Sequence, residues 1–303
     1  MFKKLMVSAA MAATMWFGGA AAADPLVSVD WVKQNAGKPG VVMIDLRPTP
    51  DYLRGHVPGA VTTNYGKDGW RAPNSAKTPD MFPEDTGKLA GLIGSLGIDN
   101  ATHVVLLPPG ANSSDMGMGT RIYWTFKVLG HDNVSILNGG MMAYAKDKAN
   151  ALEPGQVTPA AKAFNVNLRK DMLVSRDDMK KALDAGTLLV DSRTEDQYVG
   201  INRHPIAKSS GTIPGAKNLP QSWLTENGGG MFRGKDQIEA LHKVAGVTTS
   251  GPQIAFCNTG HWASIGWFAA SEILGNKQAK LYDGSMVEWT ADPAMPMEQK
   301  VKF

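Results

Sequence analysis

The sequence predicts an α/β protein of two tandem domains, each a mostly parallel sheet flanked by helices. Three observations carry this. The two halves match each other at an offset close to 146 residues, as between Asp45 and Asp191. That period is too long for a solenoid and marks a duplicated domain. Within each half, short apolar runs alternate with longer helical patterns, the signature of a sheet covered by helices. The runs themselves, such as 41–44 and 104–107, are apolar throughout rather than alternating, as strands buried on both faces are. A length of 303 residues suits two domains of about 150 residues each. With 43% hydrophobic residues, each half can build a core without a disulfide or a structural metal.

The chain opens on a targeting segment, residues 1–23. Lys3 and Lys4 form a basic start, residues 5–17 are apolar and small, and 20–23 offer an A-x-A-type cleavage pattern before Asp24. The apolar run is shorter than the ~20 residues that span a bilayer. Export to a bacterial periplasm is expected, with no membrane attachment after cleavage. Without the two leader lysines, 29 basic side chains face 28 acidic ones. That near balance points away from nucleic acid and anionic membranes.

The first domain is expected over 24–150 and the second over 166–303. Between them, 151–165 reads as a linker: it has Pro154, Gly155 and Pro159 and no periodicity. Residues 26–32 match 173–179, with Ser28 and Ser175 as helix N-caps. Strands over 41–47 and 188–193 end in Asp-x-Arg, at Asp45 with Arg47 and at Asp191 with Arg193. Gly55-His56-Val57-Pro58-Gly59-Ala60 matches Gly211-Thr212-Ile213-Pro214-Gly215-Ala216, and the second copy gains ten residues, roughly 201–210. Strands follow at 103–107 and 253–256, then helices at 121–129 and 264–274, stopped by Gly130 and Gly275. Each half closes on a strand and an Asn/Asp-Gly-Gly/Ser-Met motif, at 138–141 and 283–286.

The copies differ most after the third strand. The second has Cys257, the only cysteine of the chain, between a buried strand and a helix start. Free backbone N–H groups and the positive end of a helix dipole favour a thiolate there. The first has Pro108-Pro109-Gly110-Ala111-Asn112, with no thiol and with two prolines that cannot donate an N–H. Only the second copy is equipped for thiol chemistry. An unpaired thiol in an exported protein points to reactivity rather than to a disulfide.

Taken as a set, the two Asp-x-Arg strands, the two Ile/Val-Pro-Gly-Ala turns, the single Cys loop and the two Gly-rich closing motifs resemble the two-domain rhodaneses. The resemblance spans residue 26 to about residue 293. It implies two rhodanese-like domains and transfer of sulfane sulfur through a covalent persulfide on Cys257, without a cofactor. It implies a small anionic donor, thiosulfate or 3-mercaptopyruvate, and a thiol or cyanide acceptor, a protein thiol among them. By the same resemblance Asn258, Thr259, Gly260, His261 and Trp262 cradle the sulfur, Ala263 supports the loop, Arg193 binds the anion in a fork, and Asp191 buttresses that region. His261 is a candidate proton donor or cation. The loop departs from both subtypes. Thiosulfate-type loops carry basic residues where Asn258 and Thr259 stand, and mercaptopyruvate-type loops carry a small-Gly-Val-Thr pattern where Thr259-Gly260-His261-Trp262 stands.

Other readings are weaker. Cell-cycle phosphatases of similar fold need an arginine six residues after the cysteine, and Ala263 stands there. One cysteine and six scattered histidines show no zinc spacing, and a dithiol redox centre is excluded. A persulfide carrier or a protein-binding module remains a second class, distinguished by the intact Cys loop.

Overall fold

The structure is a computed structural model that describes residues 23–301; the expected leader lies almost wholly outside them. It contains two parallel sheets, one per half. The first has the order β1-β5-β4-β2-β3, with β1 at Leu26–Val27, β2 at Val41–Asp45, β3 at Val61–Thr62, β4 at His103–Leu107 and β5 at Val134–Leu137. The second has the order β7-β6-β8-β9, with β6 at Leu188–Asp191, β7 at Lys217–Asn218, β8 at Gln253–Phe256 and β9 at Ala279–Leu281. The place of β1 is held in the second sheet by a single parallel bridge from Leu173 to Leu281. Equivalent strands thus occupy equivalent positions, as duplication requires.

Local chemistry sets the helix starts. Ser28 caps α1 (Val29–Asn35) through the Trp31 N–H. Ser175 and Asp178 form a reciprocal capping box on α6 (Arg176–Asp184), worth about 1 kcal/mol. Gly130 and Gly275 adopt positive φ just past the helices they stop.

Two helices begin earlier than the sequence pattern predicts. Helix α4 runs from Ser113 to Val128, and α9 from His261 to Phe268 with a wide turn continuing to Ile273. The glycines at 117 and 119 look like loop signals, yet they are helical because the helix has close neighbours. A Cβ on Gly117 would lie 2.5 Å from the His261 Nε2, and one on Gly119 would lie 3.3 Å from Ile136. Gly117 lets α4 approach α9, and Gly119 lets it lie close against β5. The two helices run side by side in the same direction: Thr120 Oγ1 bonds Ser264 Oγ at 2.7 Å, and the Tyr123 ring meets Phe268 edge-on at 5.0 Å. Their N-termini therefore lie together, at the C-terminal ends of both sheets.

Residues 151–165 form neither helix nor regular strand, but they are strapped to the first half. The Lys162 N–H bonds the Gly94 carbonyl, the Asn165 N–H bonds Asn100 Oδ1 and the Val157 N–H bonds the Tyr52 hydroxyl. Phe164 is 7% exposed and packs edge-on to Phe126 and His131. Phe164→Ala should lower unfolding stability by about 3 kcal/mol, as core aromatic truncation does, read from the urea midpoint. A loose tether would lose less than about 0.5 kcal/mol.

Candidate active site

Cys257 follows β8 directly and is 1% exposed. The turn after it is short. Asn258 and Thr259 lead to Gly260, whose left-handed backbone (φ +75°) turns the chain into α9. Glycine is required twice over at this point: a Cβ would lie 2.4 Å from an Arg121 nitrogen and 2.5 Å from an Asp283 oxygen. His261, Trp262 and Ala263, expected in a loop, are the first turn of the helix.

The helix start has no side-chain cap. Among the described residues, the N–H groups of Asn258, Thr259, His261, Trp262 and Ala263 have no hydrogen-bond partner. Five free donors next to a thiol make an anion-binding position. The first half is different. There Asp115 accepts the N–H groups of Ala111 and Asn112, at 2.8 and 3.4 Å, while Asn112 Oδ1 accepts the Asp115 N–H. The first copy fills its own anion position with its own carboxylate, and the second leaves it open.

Two further N–H groups of the Cys loop are spoken for. Those of Cys257 and Gly260 donate to Ser285 Oγ, at 3.0 and 3.2 Å, and Ser285 donates to the Tyr282 carbonyl at 2.9 Å. Its hydroxyl also lies 4.0 Å from the Cys257 Sγ. Ser285 is held at φ +49°, where the first copy has Gly140 at φ +60°. A side chain in that region costs about 1–2 kcal/mol, so the hydroxyl is retained against strain.

Arg193, expected to bind the anion in a fork, has that fork closed on Asp191 and is 1% exposed. Its Nε and Nη2 bond the carboxylate at 2.9 and 2.6 Å, and Nη2 also bonds the Gly211 carbonyl at 2.7 Å. In the copy without a thiol, Arg47 and Asp45 make the same contacts, ending on Gly55. A pair present in both copies belongs to the fold. Asp191 serves it as buttress and accepts Thr212 as well.

His261, the candidate proton donor or cation, likewise has both ring nitrogens engaged. Its Nε2–H donates to the Ser114 carbonyl at 2.9 Å, and its Nδ1 accepts the Tyr65 hydroxyl at 3.0 Å. Burial and then the nearby Arg71 push its pKa down to about 4, so the ring is neutral near pH 7. Burial pushes the Tyr65 hydroxyl up to about 12 and keeps it a donor. Trp262 Nε1–H bonds Ser114 Oγ at 2.9 Å. Asn258 ties the loop to Gln197 of α7 (Glu195–Val199) at 2.9 Å. Ala263 is fully buried, and Thr259 is half-buried with no side-chain hydrogen bond among the described residues.

The residues that organise the site from the first half were missed. Arg121, fully buried, pairs with Asp283, which also accepts the Phe82 N–H. Burial raises the Asp283 carboxyl, while Arg121 and the Phe82 N–H oppose that. The guanidinium of Arg71 lies 4.3 Å over the Tyr65 ring. The signals were present. Arg121 heads a largely apolar helical run, and Ser285 replaces a glycine of the duplicate motif.

Two outcomes check this geometry. Ser285→Ala keeps the strained backbone and loses the acceptor, whereas Ser285→Gly relieves the strain. The alanine variant should therefore be less stable than the glycine variant by about 1 kcal/mol in urea titrations. For His261, the unfolded ring takes a proton near pH 6.5 and the folded ring only near 4. Its contribution is complete above pH 6.5 and is lost as pH falls toward 4, by at most about 1.4 kcal/mol per pH unit. His261→Asn should flatten the stability profile between pH 6.5 and 4; parallel profiles would contradict the neutral assignment.

Known proteins agree with this architecture. A family model described as a rhodanese-like domain matches residues 28–147 and 175–292. A putative thiosulfate sulfurtransferase of Haloferax volcanii is 32% identical over 291 residues, covering 92% of this chain and 97% of its own. The thiosulfate sulfurtransferase of Bos taurus is 32% identical over 283 residues, covering 87% and 91%. Among solved structures, the 3-mercaptopyruvate sulfotransferase SseA of Escherichia coli superposes with a TM-score of 0.74 at 26% identity, covering 87% of this chain and 99% of its own. The chain therefore belongs to the rhodanese family, as a tandem, rhodanese-type sulfurtransferase.

Proposed function

We propose that the protein moves sulfane sulfur from thiosulfate to a thiophilic acceptor through a persulfide on Cys257, after export to the periplasm. The observation that carries the reading is the open helix start at Cys257 beside a duplicate that caps its own. Evolution of an uncapped, strain-held anion position around the only thiol has a use if that thiol becomes an anion and carries one. Relatives named as thiosulfate sulfurtransferases support thiosulfate as donor.

The cycle has two displacements. The Cys257 thiolate attacks the outer sulfur of thiosulfate, the S–S bond of the donor breaks, and its electron pair leaves with sulfite. The persulfide anion then rests against the free N–H groups of the first turn of α9. An acceptor thiolate or cyanide attacks the outer sulfur, and the electron pair of the breaking S–S bond returns to Cys257. No proton donor is required, which fits a neutral His261. Binding of the donor anion falls to the backbone N–H groups rather than to Arg193.

A second reading, 3-mercaptopyruvate as donor, is favoured by the likeness to SseA and by the absence of basic side chains at Asn258 and Thr259. Intact-mass spectrometry after exposure to each donor separates the two. Cys257 should gain the mass of one sulfur atom from thiosulfate and release it to cyanide. Cys257→Ser should gain none, with turnover reduced more than about a thousandfold. Loading from mercaptopyruvate alone would select the second reading, and no loading from either donor would defeat both. Loading without release would mark a carrier.

A further inference from the structure

A groove of about 1260 Å3 opens over the C-terminal ends of the first sheet, walled by the segments that follow β2, β4 and β5 at Arg47, Pro109 and Gly139. This is the ligand end of an open parallel sheet, and the counterpart of the Cys257 position. At the start of α4 the Asp115 carboxylate takes the Ala111 and Asn112 N–H groups, and its charge opposes a small anion there. The groove is instead apolar at its floor and cationic at its rim. Met142 (56% exposed), Met231 (41%) and Leu152 (47%) present large apolar side chains to solvent there. Arg54, Lys146 and Lys148 stand around them, with Asp51 as the one carboxylate in the wall. Asp51 pairs with Arg54. Among the described residues, Lys146 and Lys148 have no carboxylate partner.

In a chain whose charges nearly balance, such clustering around exposed thioethers calls for an occupant of opposite sign with apolar side chains of its own. Methionine supplies a floor that adapts to varied partners. The groove also lies on the same side as the reactive loop. Helices α4 and α9 run in parallel with their N-termini together, and Ser114, just beyond the Pro109–Ala111 wall, touches both His261 and Trp262.

We propose that this groove docks an acidic, leucine- or phenylalanine-bearing segment of the protein thiol that takes sulfur from Cys257. The proposal rests on the sulfurtransferase reading with a protein acceptor. The docked segment presents a cysteine to the seam. Its thiolate attacks the outer sulfur of the Cys257 persulfide, the S–S bond breaks, its electron pair returns to Cys257, and the sulfur leaves as the acceptor's persulfide. The first domain, without chemistry of its own, then supplies acceptor recognition. Attraction between rim and segment is weakened by salt.

The test uses the full-length protein, loaded with sulfur, and three acceptors: dithiothreitol, a peptide with one cysteine among glutamates and leucines, and the same peptide with lysines for glutamates. The KM for the acidic peptide should be at least about tenfold below that for the basic one, about 1.4 kcal/mol of selective binding. It should rise by a similar factor in a Lys146→Glu, Lys148→Glu double variant and in Met142→Asp. All three positions are exposed, so the variants fold. Loading of Cys257 and transfer to dithiothreitol should be unchanged in them. Equal KM values for the two peptides, or an acidic-peptide KM indifferent to both variants, overturns docking at the groove. A wild-type protein that never loads sulfur overturns the sulfurtransferase reading instead. In that case fluorescence anisotropy with the labelled acidic peptide still tests the groove. Self-association abolished by Met142→Asp would assign the groove to a second copy, and binding to phosphatidylglycerol vesicles abolished by the lysine variants would assign it to a membrane. Either result overturns the proposal.

Discussion

A buried ion pair crosses the seam between the two domains, and the reactive loop is built against it. Arg121 comes from a helix of the first domain and Asp283 from the strand end of the second. Around them gather Gly260, whose hydrogen side is the only one that fits; the Phe82 N–H, which brings a loop of the first domain over the second; and the Trp124 ring, 4.9 Å from the guanidinium. Removing one partner of such a pair leaves a buried charge, a loss of about 3–5 kcal/mol. The pair therefore ties the position of the Cys257 turn to the docking of the halves. A single domain of this chain would lack the cation, the cover and the partners of His261.

The halves exchange cover reciprocally but not equally. Phe82 of the first domain donates its N–H to Asp283 of the second, and Phe232 of the second donates its N–H to Asn138 of the first. Asp283 and Asn138 occupy matching places in the duplicated motif. On one side the acceptor is a carboxylate answered by a buried arginine. On the other it is a neutral amide, and the helix position equivalent to Arg121 is Gly266. The charged version stands over the open anion position, and the neutral version stands beside the loop that Asp115 has closed. Divergence after duplication thus touched three linked features together: the cap, the seam charge and the residue at Ser285 or Gly140.

Strain points to the same place. Ser285 holds a left-handed backbone in order to offer one oxygen to two N–H groups of the loop. Gly140 meets the same backbone demand without strain and offers no hydroxyl. The hydroxyl fixes the base of the turn, and the other N–H groups of the helix start remain open to an anion.

Much of this was legible in the sequence. The duplication, the strands at 41–45, 103–107, 188–191 and 253–256, the serine caps and the singular thiol follow from periodicity, capping chemistry and comparison of one half with the other, all local or repeated signals. The starts of α4 and α9 were not legible, because glycine-rich helix turns are stabilised by a neighbouring helix rather than by their own propensity. The roles of Arg193 and His261 could not be read either. An arginine two residues from an aspartate gives no sign of whether its fork closes inward, and a loop histidine gives no sign of partners about 150–200 residues away. From the sequence alone come the single thiol, Cys257, and the half of the duplication that carries it. Only the tertiary structure decided what surrounds that thiol, because the seam sets hydrogen bonds and charges between residues that no local pattern connects.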